Sequence, residues 1–408
     1  TKIASNPSLI PNLEYWYWHA QQAHLDYPQL KLGSILAPSN SNILRLAHEI
    51  PILLGFNEEQ TYLLLLQNEN ELRPNGGFIG SVGIMTVKKG EITDLKLDDV
   101  YNVDGQLKGH IEPPYIVRRN LQPHLYLRDS NFHPDFEKSA TSAAQLYNLA
   151  TGKQIDGIIA VNTEFMRTLL NITGPVKITQ LNKEVSADDA AAILQDEIQK
   201  DFFPGSTKKK DVLNGLLNQI IIQFEDHPEY KIKLAKQLPQ LLESKTLQLS
   251  SKDASMQKLF KSLGYAGSLT DNRTVSEDGI QDIAGIYEAN IGVNKVNSKI
   301  KRAVAYTINL DEKTSTKSTI SLTLKNEHKE ETYSSYIQVI MPKGSVIESI
   351  SINGAALKTT DAITEPRVYE ARGFKAPTEL EVEQRLEENS LIAGFVVNIF
   401  SGEEQKID

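Results

Sequence analysis

Apolar and polar residues follow three successive patterns along this chain. In the first, Leu13, Trp16, Tyr17 and Ala20 recur at i, i+3, i+4 and i+7, which predicts one apolar face of a helix. Pro28 and the run Pro38-Ser39-Asn40-Ser41-Asn42 interrupt it. A second helix is expected over Ile43, Leu44, Leu46, Ala47 and Ile50, stopping before Pro51. Trp16 and Trp18 suit either a membrane-interface belt or packing onto the next domain, and packing is the favoured reading.

The second pattern mixes short apolar runs with helical periodicity. Tyr62-Leu63-Leu64-Leu65-Leu66 is wholly apolar, as a strand buried on both faces requires. Phe78–Val87 and Ile92–Leu97 form a hairpin pattern around Lys88-Lys89-Gly90. Asp135–Ala150 predicts a helix with Phe136, Ala140, Ala143, Ala144 and Tyr147 on one face and Gly152 closing it. Ile155–Val161 predicts another buried strand, followed by a helix over Thr163–Leu170 that Gly174-Pro175 ends. Ser186 and Asp189 resemble a capping box for a helix over Ala187–Gln199. Further helices are expected near Asp211–Phe224, Tyr230–Leu242 and Ala254–Leu263. Strands alternating with helices imply a layered α/β domain.

The third pattern has a period of two. Val304, Tyr306, Ile308 and Leu310 alternate with Ala305, Thr307 and Asn309. Ile320, Leu322 and Leu324 do the same, as do Leu380, Val382 and Leu386. Turns at Pro342-Lys343-Gly344 and Asn353-Gly354 complete the pattern of an antiparallel, Ig-like β-sandwich. The expected organisation is therefore 1–58, an N-terminal helical segment; 59–288, an α/β domain; and 289–408, a β-sandwich.

Composition narrows the function classes. The chain has 408 residues, 43 Lys+Arg against 52 Asp+Glu, and a net charge of −9. An acidic balance argues against nucleic acid as a partner. The absence of Cys removes disulfides, thiolate metal sites and a Cys nucleophile. No run of about 18 or more apolar residues is present to span a bilayer. The first residue is Thr1 rather than Met, so a removed N-terminal signal or membrane anchor is expected.

Three polar clusters carry candidate chemistry. The first runs from Gln67 to Gly80 after the apolar strand, where open α/β sheets tend to bind ligands. Arg73 offers a planar fork of donors for phosphate or carboxylate, and Gly76-Gly77 would let backbone amides approach an anion. Asn68 and Asn75 are further candidate ligand contacts. The alternative is a polar turn in which Arg73 pairs with Glu71. The second cluster is Leu127-Arg128-Asp129-Ser130-Asn131, before Pro134-Asp135. Asp129 could hold Mg²⁺ while Arg128 contacts phosphate oxygens, with Asn131 beside them. The alternative is a buried ion pair, with Asp135 or Asn131 capping the next helix. The third, Asp98-Asp99 through Asp104-Gly105, fails the calcium-loop pattern and predicts a solvated acidic turn. Lys210, in Lys208-Lys209-Lys210, is either a solvated face or a contact for a polyanion. The eight His residues show no paired ligand spacing, and no Gly-x-Ser-x-Gly elbow occurs.

The string Gln67-Asn68-Glu69-Asn70-Glu71-Leu72-Arg73-Pro74-Asn75-Gly76-Gly77-Phe78 resembles the signature of a bacterial domain-of-unknown-function family, number 4012. So do Leu127–Asn131 with Pro134-Asp135-Phe136, Asp156–Val161 with Thr173–Val176, and Ala289–Lys295. The resemblance covers roughly residues 60 to 345 and implies an envelope protein with an N-terminal membrane anchor. A more distant likeness is to LytR-CpsA-Psr proteins, which attach glycopolymers from polyprenyl-pyrophosphate carriers to the cell wall using Mg²⁺ and arginines. That likeness implies a mixed central sheet. It would align the Pro-Arg-Asp-Thr motif of those proteins with Leu127-Arg128-Asp129-Ser130, and their late basic helix start with Lys209-Lys210-Asp211. Their Arg-Ser-Asp-Thr motif is replaced here by Gly77-Phe78-Ile79-Gly80, and their late Arg pair is absent.

Three readings result. In the first, an extracytoplasmic, membrane-anchored ectodomain binds a polyprenyl-phosphate lipid or cell-wall glycan, or scaffolds envelope components. In the second, an Mg-dependent phosphotransferase uses Arg73 and Arg128 on pyrophosphate, Asp129 on the metal and Glu71 as base. In the third, the ectodomain is purely structural or adhesive. The first two require Arg73 and Arg128 to converge at one open mouth.

Overall fold

β1 (Gln60–Asn68) follows from its uninterrupted apolar run, with Leu63 and Leu65 fully buried and Leu64 and Leu66 partly so. It pairs in parallel with β4 (Gly157–Val161), Tyr62 opposite Gly157 through Leu66 opposite Val161. β2 (Phe78–Lys88) and β3 (Glu91–Asp99) form the expected antiparallel hairpin. β7 (Leu247–Ser251) runs antiparallel to β4. The sheet order is β3-β2-β1-β4-β7, so the central sheet is mixed. The computed structural model that shows this describes residues 49, 51–179, 182–189, 207–269, 283–310 and 316–408.

The helices are set by caps and amphipathic faces. α1 (Val100–Asp104) and α2 (Tyr115–Asn120) are short. α3 (Phe136–Thr151) begins at Asp135, whose carboxylate accepts from the Lys138 amide at 3.2 Å, and ends at Gly152 in the left-handed region. Phe136, Ala140, Ala143 and Tyr147 are buried as the spacing predicts. α4 (Thr163–Thr173) is capped by Asn162. Its Met166, Leu169 and Leu170 pack with Val176 and Ile178 of β5 (Val176–Ile178), Val185 of β6 (Lys183–Val185), and Val212, Leu216 and Ile220 of α5 (Thr207–Asp226). α6 (Pro228–Glu243) packs Leu241 and Leu242 against Ile159 and Val161 on one face of β4. α7 (Ala254–Ser262) completes this part. The Ser186–Asp189 cap forms, at 3.3 Å from amide to hydroxyl, but most of the helix expected after it lies outside the described residues. The two N-terminal helices expected before Pro51 lie almost wholly outside them as well.

Residues after the α/β part build two five-stranded sheets. One has the order β13-β12-β17-β10-β9, the other β14-β15-β16-β11-β8. The strands are β8 (Gly285–Asn290), β9 (Ile300–Leu310), β10 (Thr316–Asn326), β11 (Tyr333–Pro342), β12 (Ser351–Ile352), β13 (Ala355–Ala356), β14 (Thr359–Asp361), β15 (Leu380–Leu386), β16 (Ser390–Ile399) and β17 (Glu404–Ile407). A four-residue helix, α8 (Pro366–Tyr369), lies between β14 and β15. Leu322, Leu324 and Ile407 of the first sheet share a core with Tyr333, Ile337, Val382, Phe395 and Val397 of the second. Such a shared core arises when the apolar faces of two alternating sheets meet. The pairing departs from an all-antiparallel pattern at one place, where β14 and β15 run parallel.

The chain divides into two units, and the division corrects the linear boundaries read from the sequence. Unit 1 holds residues up to Gln67, Ile79–Lys108, and the stretch from Asp135 through the last α/β helix. Unit 2 holds Asn68–Phe78, Gly109–Pro134 and the two-sheet region to Asp408. Both polar loops assigned to an α/β domain over 59–288 thus belong with the β-rich part. Backbone hydrogen bonds explain why. The Asn290 amide donates to Leu72 O at 2.9 Å and the Asn297 amide to Asn70 O at 3.2 Å, so the loop after β1 is stitched to the end of β8 and the segment that follows it. No helix among the described residues is long and apolar enough to cross a membrane.

Candidate functional site

The loop from Asn68 to Phe78 is held by its own short-range bonds. The Asn68 side chain accepts from the Asn70 amide at 3.0 Å, and the Phe78 amide donates to Glu71 O at 2.8 Å. Arg73 is carried into the interior of unit 2, where its side chain is 2% exposed. Its Nη1 donates to Asn290 O at 2.8 Å and to Leu72 O at 3.1 Å. Its Nη2 donates to Glu71 Oε1 at 2.9 Å and lies 3.6 Å from Asp129 Oδ1. The guanidinium carbon sits 4.7 Å from the Phe132 ring centre and 5.7 Å from that of Phe78. Only Nε finds no acceptor among the described residues.

Asp129 lies on a 3₁₀ turn, Leu127–Asp129, and is 4% exposed. Its Oδ2 accepts from Gln122 Nε2 at 2.5 Å and lies 3.6 Å from Arg128 Nε. Arg128 donates to Gln122 Oε1 and stacks on Tyr126, 4.1 Å from the ring centre. Burial raises the Asp129 carboxyl above its usual range, against the lowering effect of Arg73 and Arg128. Burial also lowers the ammonium of Lys295, while the nearby Glu71 opposes that shift.

The structure therefore brings Arg73 and Arg128 together, as expected, on either side of one carboxylate. It does not present them to an anion. Both guanidiniums are engaged inside unit 2 with carboxylates, carbonyls and aromatic rings, which is the buried ion-pair alternative. Arg73, Glu71 and Asp129 as reaction groups, and Asp129 as an Mg²⁺ ligand, do not fit this geometry. A cation at Asp129 would face guanidinium nitrogens at 3.6 Å on both carboxylate oxygens. Among the described residues no cluster of three or more His, Asp or Glu is arranged to hold a metal ion.

The remaining candidates have structural partners too. Asn75 Nδ2 donates to His133 O at 2.5 Å, and Asn131 Nδ2 to Gly77 O at 2.8 Å. Gly76 has φ of 120°. A Cβ on Gly77 would overlap the Asn68 carbonyl, so Gly77 serves a close approach of backbone to backbone. Lys210 belongs to α5 in unit 1, and its side chain lies outside the described residues. The acidic turn is not solvated throughout: Asp99 and Asp104 are buried, and Asp99 caps α1 through the Tyr101 amide at 2.9 Å.

A second site, missed in the sequence, is an open groove of about 970 Å³ in unit 2. Its walls come from α2 and the loop before it, from the segment around α8, and from β15. Arg118 grips Glu370 with two bonds, Nε at 2.7 Å and Nη2 at 3.1 Å, and also bonds Glu112 at 3.0 Å. Arg119, beside the groove, is bidentate to Glu381 at 2.6 and 3.2 Å and stacks under Tyr369 and Phe374. The wall residues Glu383 and Arg385 pair at 2.7 Å, and Glu383 accepts from the buried Tyr336 hydroxyl. The lining holds five carboxylates (Glu112, Asp361, Glu365, Glu370, Glu383) and three guanidiniums (Arg118, Arg367, Arg385), an excess of two negative charges. The Tyr115 and Tyr369 side chains and the Gln384 amide add neutral groups.

Electrostatics keep these groups in defined states. The Arg118 hydrogen bond holds the Glu370 carboxyl below the usual range. Burial pushes the Tyr115 phenol up to about 12, with Glu381 adding to it, and burial raises that of Tyr369. The groove offers carboxylates as acceptors, guanidiniums as donors and the Tyr115 phenol as both. The sequence held one local signal, the adjacent Arg118-Arg119. Their acceptors lie about 250 residues further along the chain, with no spacing rule to link them.

Residues 57–198 match a protein family of unknown function, DUF4012, as the loop and strand motifs implied. No curated protein matches the chain. Among solved structures, the chain is similar to protein gbs0355 from Streptococcus agalactiae at 12% identity, with a TM-score of 0.34, over 52% of this chain and 74% of that one. It is similar to Lin1025 from Listeria innocua at 11% identity and a TM-score of 0.28, over 51% and 79%. TagV of Bacillus subtilis is 11% identical with a TM-score of 0.29, over 51% and 80%.

Proposed function

We propose that this chain is an extracytoplasmic cell-envelope protein that binds a neutral glycan in the groove of unit 2. The observation that carries the reading is the chemistry of the groove walls. A sugar presents hydroxyls that both donate and accept, together with apolar C–H faces. The carboxylates and guanidiniums of the walls suit the first, and the tyrosine rings of Tyr115 and Tyr369 the second. The excess of negative charge works against a phosphate-bearing ligand. The envelope setting rests on the motif resemblance and fits a chain without Cys. The phosphotransferase reading draws no support from Arg73, Arg128 and Asp129, whose charges are matched inside the protein.

The test is calorimetric titration of the purified chain with neutral wall oligosaccharides, beside a polyprenyl phosphate in micelles. Binding of the oligosaccharide is expected. Gln384→Ala, at an exposed wall position, should weaken it by about tenfold, the equivalent of one hydrogen bond near 1.4 kcal/mol. Tyr369→Ala should remove most of it while circular dichroism stays native. Preferential binding of the phosphate lipid, or oligosaccharide binding indifferent to both substitutions, overturns the proposal.

A further inference from the structure

The two sheets of unit 2 are unequal in length at one end. β17 pairs with β10 only from Glu404 opposite Lys325 to Ile407 opposite Leu322. β10 itself reaches back to Thr316, and in the opposing sheet β11 stays paired with β16 as far as Pro342. Beyond Leu322 the space between the sheets is walled by residues 345–350, which form no strand. The result is a cavity of about 310 Å³ that opens to solvent at this end. It shares no lining residue with the groove.

The walls grade from core to surface. Leu322, Ile337 and Phe395 are buried, whereas Ile320, Val339 and Met341 are only partly so. Strand alternation explains the set: Ile320 and Leu322 of β10 face the same interior as Ile337, Val339 and Met341 of β11. Val346, 83% exposed, stands in the loop wall. Among the described residues no backbone hydrogen bond closes residues 346–349, and the Lys317–Glu348 ion pair ties this wall to β10. A wall held by so few bonds can move aside for a guest. The charges of the rim are matched. Lys317 pairs with Glu348, and Asp408 with Lys406 at 2.7 Å and with the Ser321 hydroxyl at 2.5 Å. Neutral hydroxyls, those of Ser318, Thr319, Ser345 and Ser349, complete the rim.

We propose that this cavity binds a single hydrocarbon chain that carries an uncharged polar head. The volume lies at the small end of the roughly 300–1,000 Å³ typical of ligand sites. A water's share of liquid volume is about 30 Å³ and a methylene takes about as much, so the space holds one chain of about ten carbons and not the paired chains of a bilayer lipid. Aliphatic walls from both sheets keep such a space dry, and a dry apolar cavity takes an apolar guest. The rim selects the head. A carboxylate there would face Glu348 and Asp408, and an ammonium would face Lys317, each already paired. A hydroxyl head meets hydroxyls that both donate and accept.

The volume sets a limit on chain length, and titration reads that limit. Calorimetry of the full chain with primary n-alkanols from hexanol to dodecanol, each below its solubility limit, should show affinity rising about fourfold per added methylene. The rise should level off at about ten carbons, where the space is full. Decanoate should bind at least about tenfold more weakly than decanol. Val339→Phe, which fills the space, should abolish decanol binding while the melting temperature holds or rises. Ile320→Phe, at a partly exposed wall position, should do the same, and it gives the answer where Val339→Phe folds poorly. Affinity that climbs without a break to dodecanol means adsorption to an open surface and overturns the proposal. So do a chain that binds no alkanol, decanol binding that survives both substitutions, and a chain that sediments with phosphatidylcholine vesicles instead.

Discussion

Replacing Arg73 by Ala tests whether the arginine network is a structural part of unit 2. Arg73 is 2% exposed and neutralises two buried carboxylates, Glu71 at 2.9 Å and Asp129 at 3.6 Å. Removing one member of a buried ion pair costs about 3–5 kcal/mol, because the charge left behind is desolvated and unmatched. The Asn290 carbonyl also loses a 2.8 Å donor, worth about 1 kcal/mol or more if left unsatisfied. These terms overlap, so about 3 kcal/mol is the expected minimum. With a urea slope of about 2–3 kcal/mol per molar, the unit 2 midpoint should fall by at least about 1 M. Hydrogen exchange of peptides covering β8, which ends at Asn290, and its neighbour β11 is the suitable readout. Arg73→Lys keeps the charge but not the planar fork, and should fall between wild type and Arg73→Ala. Exchange at β8 and β11 that is unchanged in Arg73→Ala would refute the structural role. If that variant instead lost binding of a phosphate lipid, the anion-binding reading of Arg73 would return.

Two further outcomes follow from the same geometry. Adding Mg²⁺ should leave the melting temperature of the chain unchanged, because a ligand stabilises only where it binds the folded state and Asp129 is enclosed by guanidiniums; a rise that Asp129→Asn abolishes would show a metal site there. Oligosaccharide binding should hold steady from neutral pH down to about 4.5, the ordinary value for Glu370, and decline below it. The sign follows from a depressed carboxyl: the Arg118–Glu370 pair is complete above the unfolded pKa and is lost as pH falls through the lower folded value. A loss of binding already at pH 6 would point to a different group.

Local pattern made the elements legible but not their assembly. The β1 run, the hairpin, the Asp135 cap and the Gly152 stop are set by residues within a few positions of each other, and they formed where periodicity placed them. The two polar loops were found for a sound reason, since such dense polar clusters beside apolar strands demand an explanation. What the string could not disclose was burial. Arg73 reads as an exposed fork until Asn290, 217 residues later, supplies a carbonyl to it. The groove failed to register for the same cause, because Arg118 meets Glu370 and Arg119 meets Glu381 only after unit 2 has closed. The α/β boundary was misplaced because a segment can leave one unit and pair in another without any change of composition.

Gly394 shows how tightly unit 2 couples packing to its buried charges, and a double substitution measures that coupling. Tyr336 faces Val396 across the β11–β16 ladder, so Gly394 is its diagonal neighbour. A Cβ at Gly394 would fall on the Tyr336 hydroxyl, with ring carbons also too close. The ring is 1% exposed and packed among Ile116, Val117, Ala289 and Ile291, so it has little room to move. Burial, reinforced by Glu383, raises the phenol far above its usual range, so it remains a neutral donor to that carboxylate. Gly394→Ala must therefore overpack the site, at about 1–3 kcal/mol, and displace the hydroxyl from Glu383. Tyr336→Phe alone loses a buried bond to a charged acceptor, about 1.5–3 kcal/mol. Combined, the two should destabilise less than their sum by about 1 kcal/mol. Phe has already removed the atom that the new methyl strikes first, and the Glu383 bond can be lost only once. Urea unfolding of all four proteins, read by exchange of the β11 and β16 peptides, gives the coupling directly. Strict additivity would mean that the clash is relieved by backbone movement, and that Gly394 is not present to make room for Tyr336.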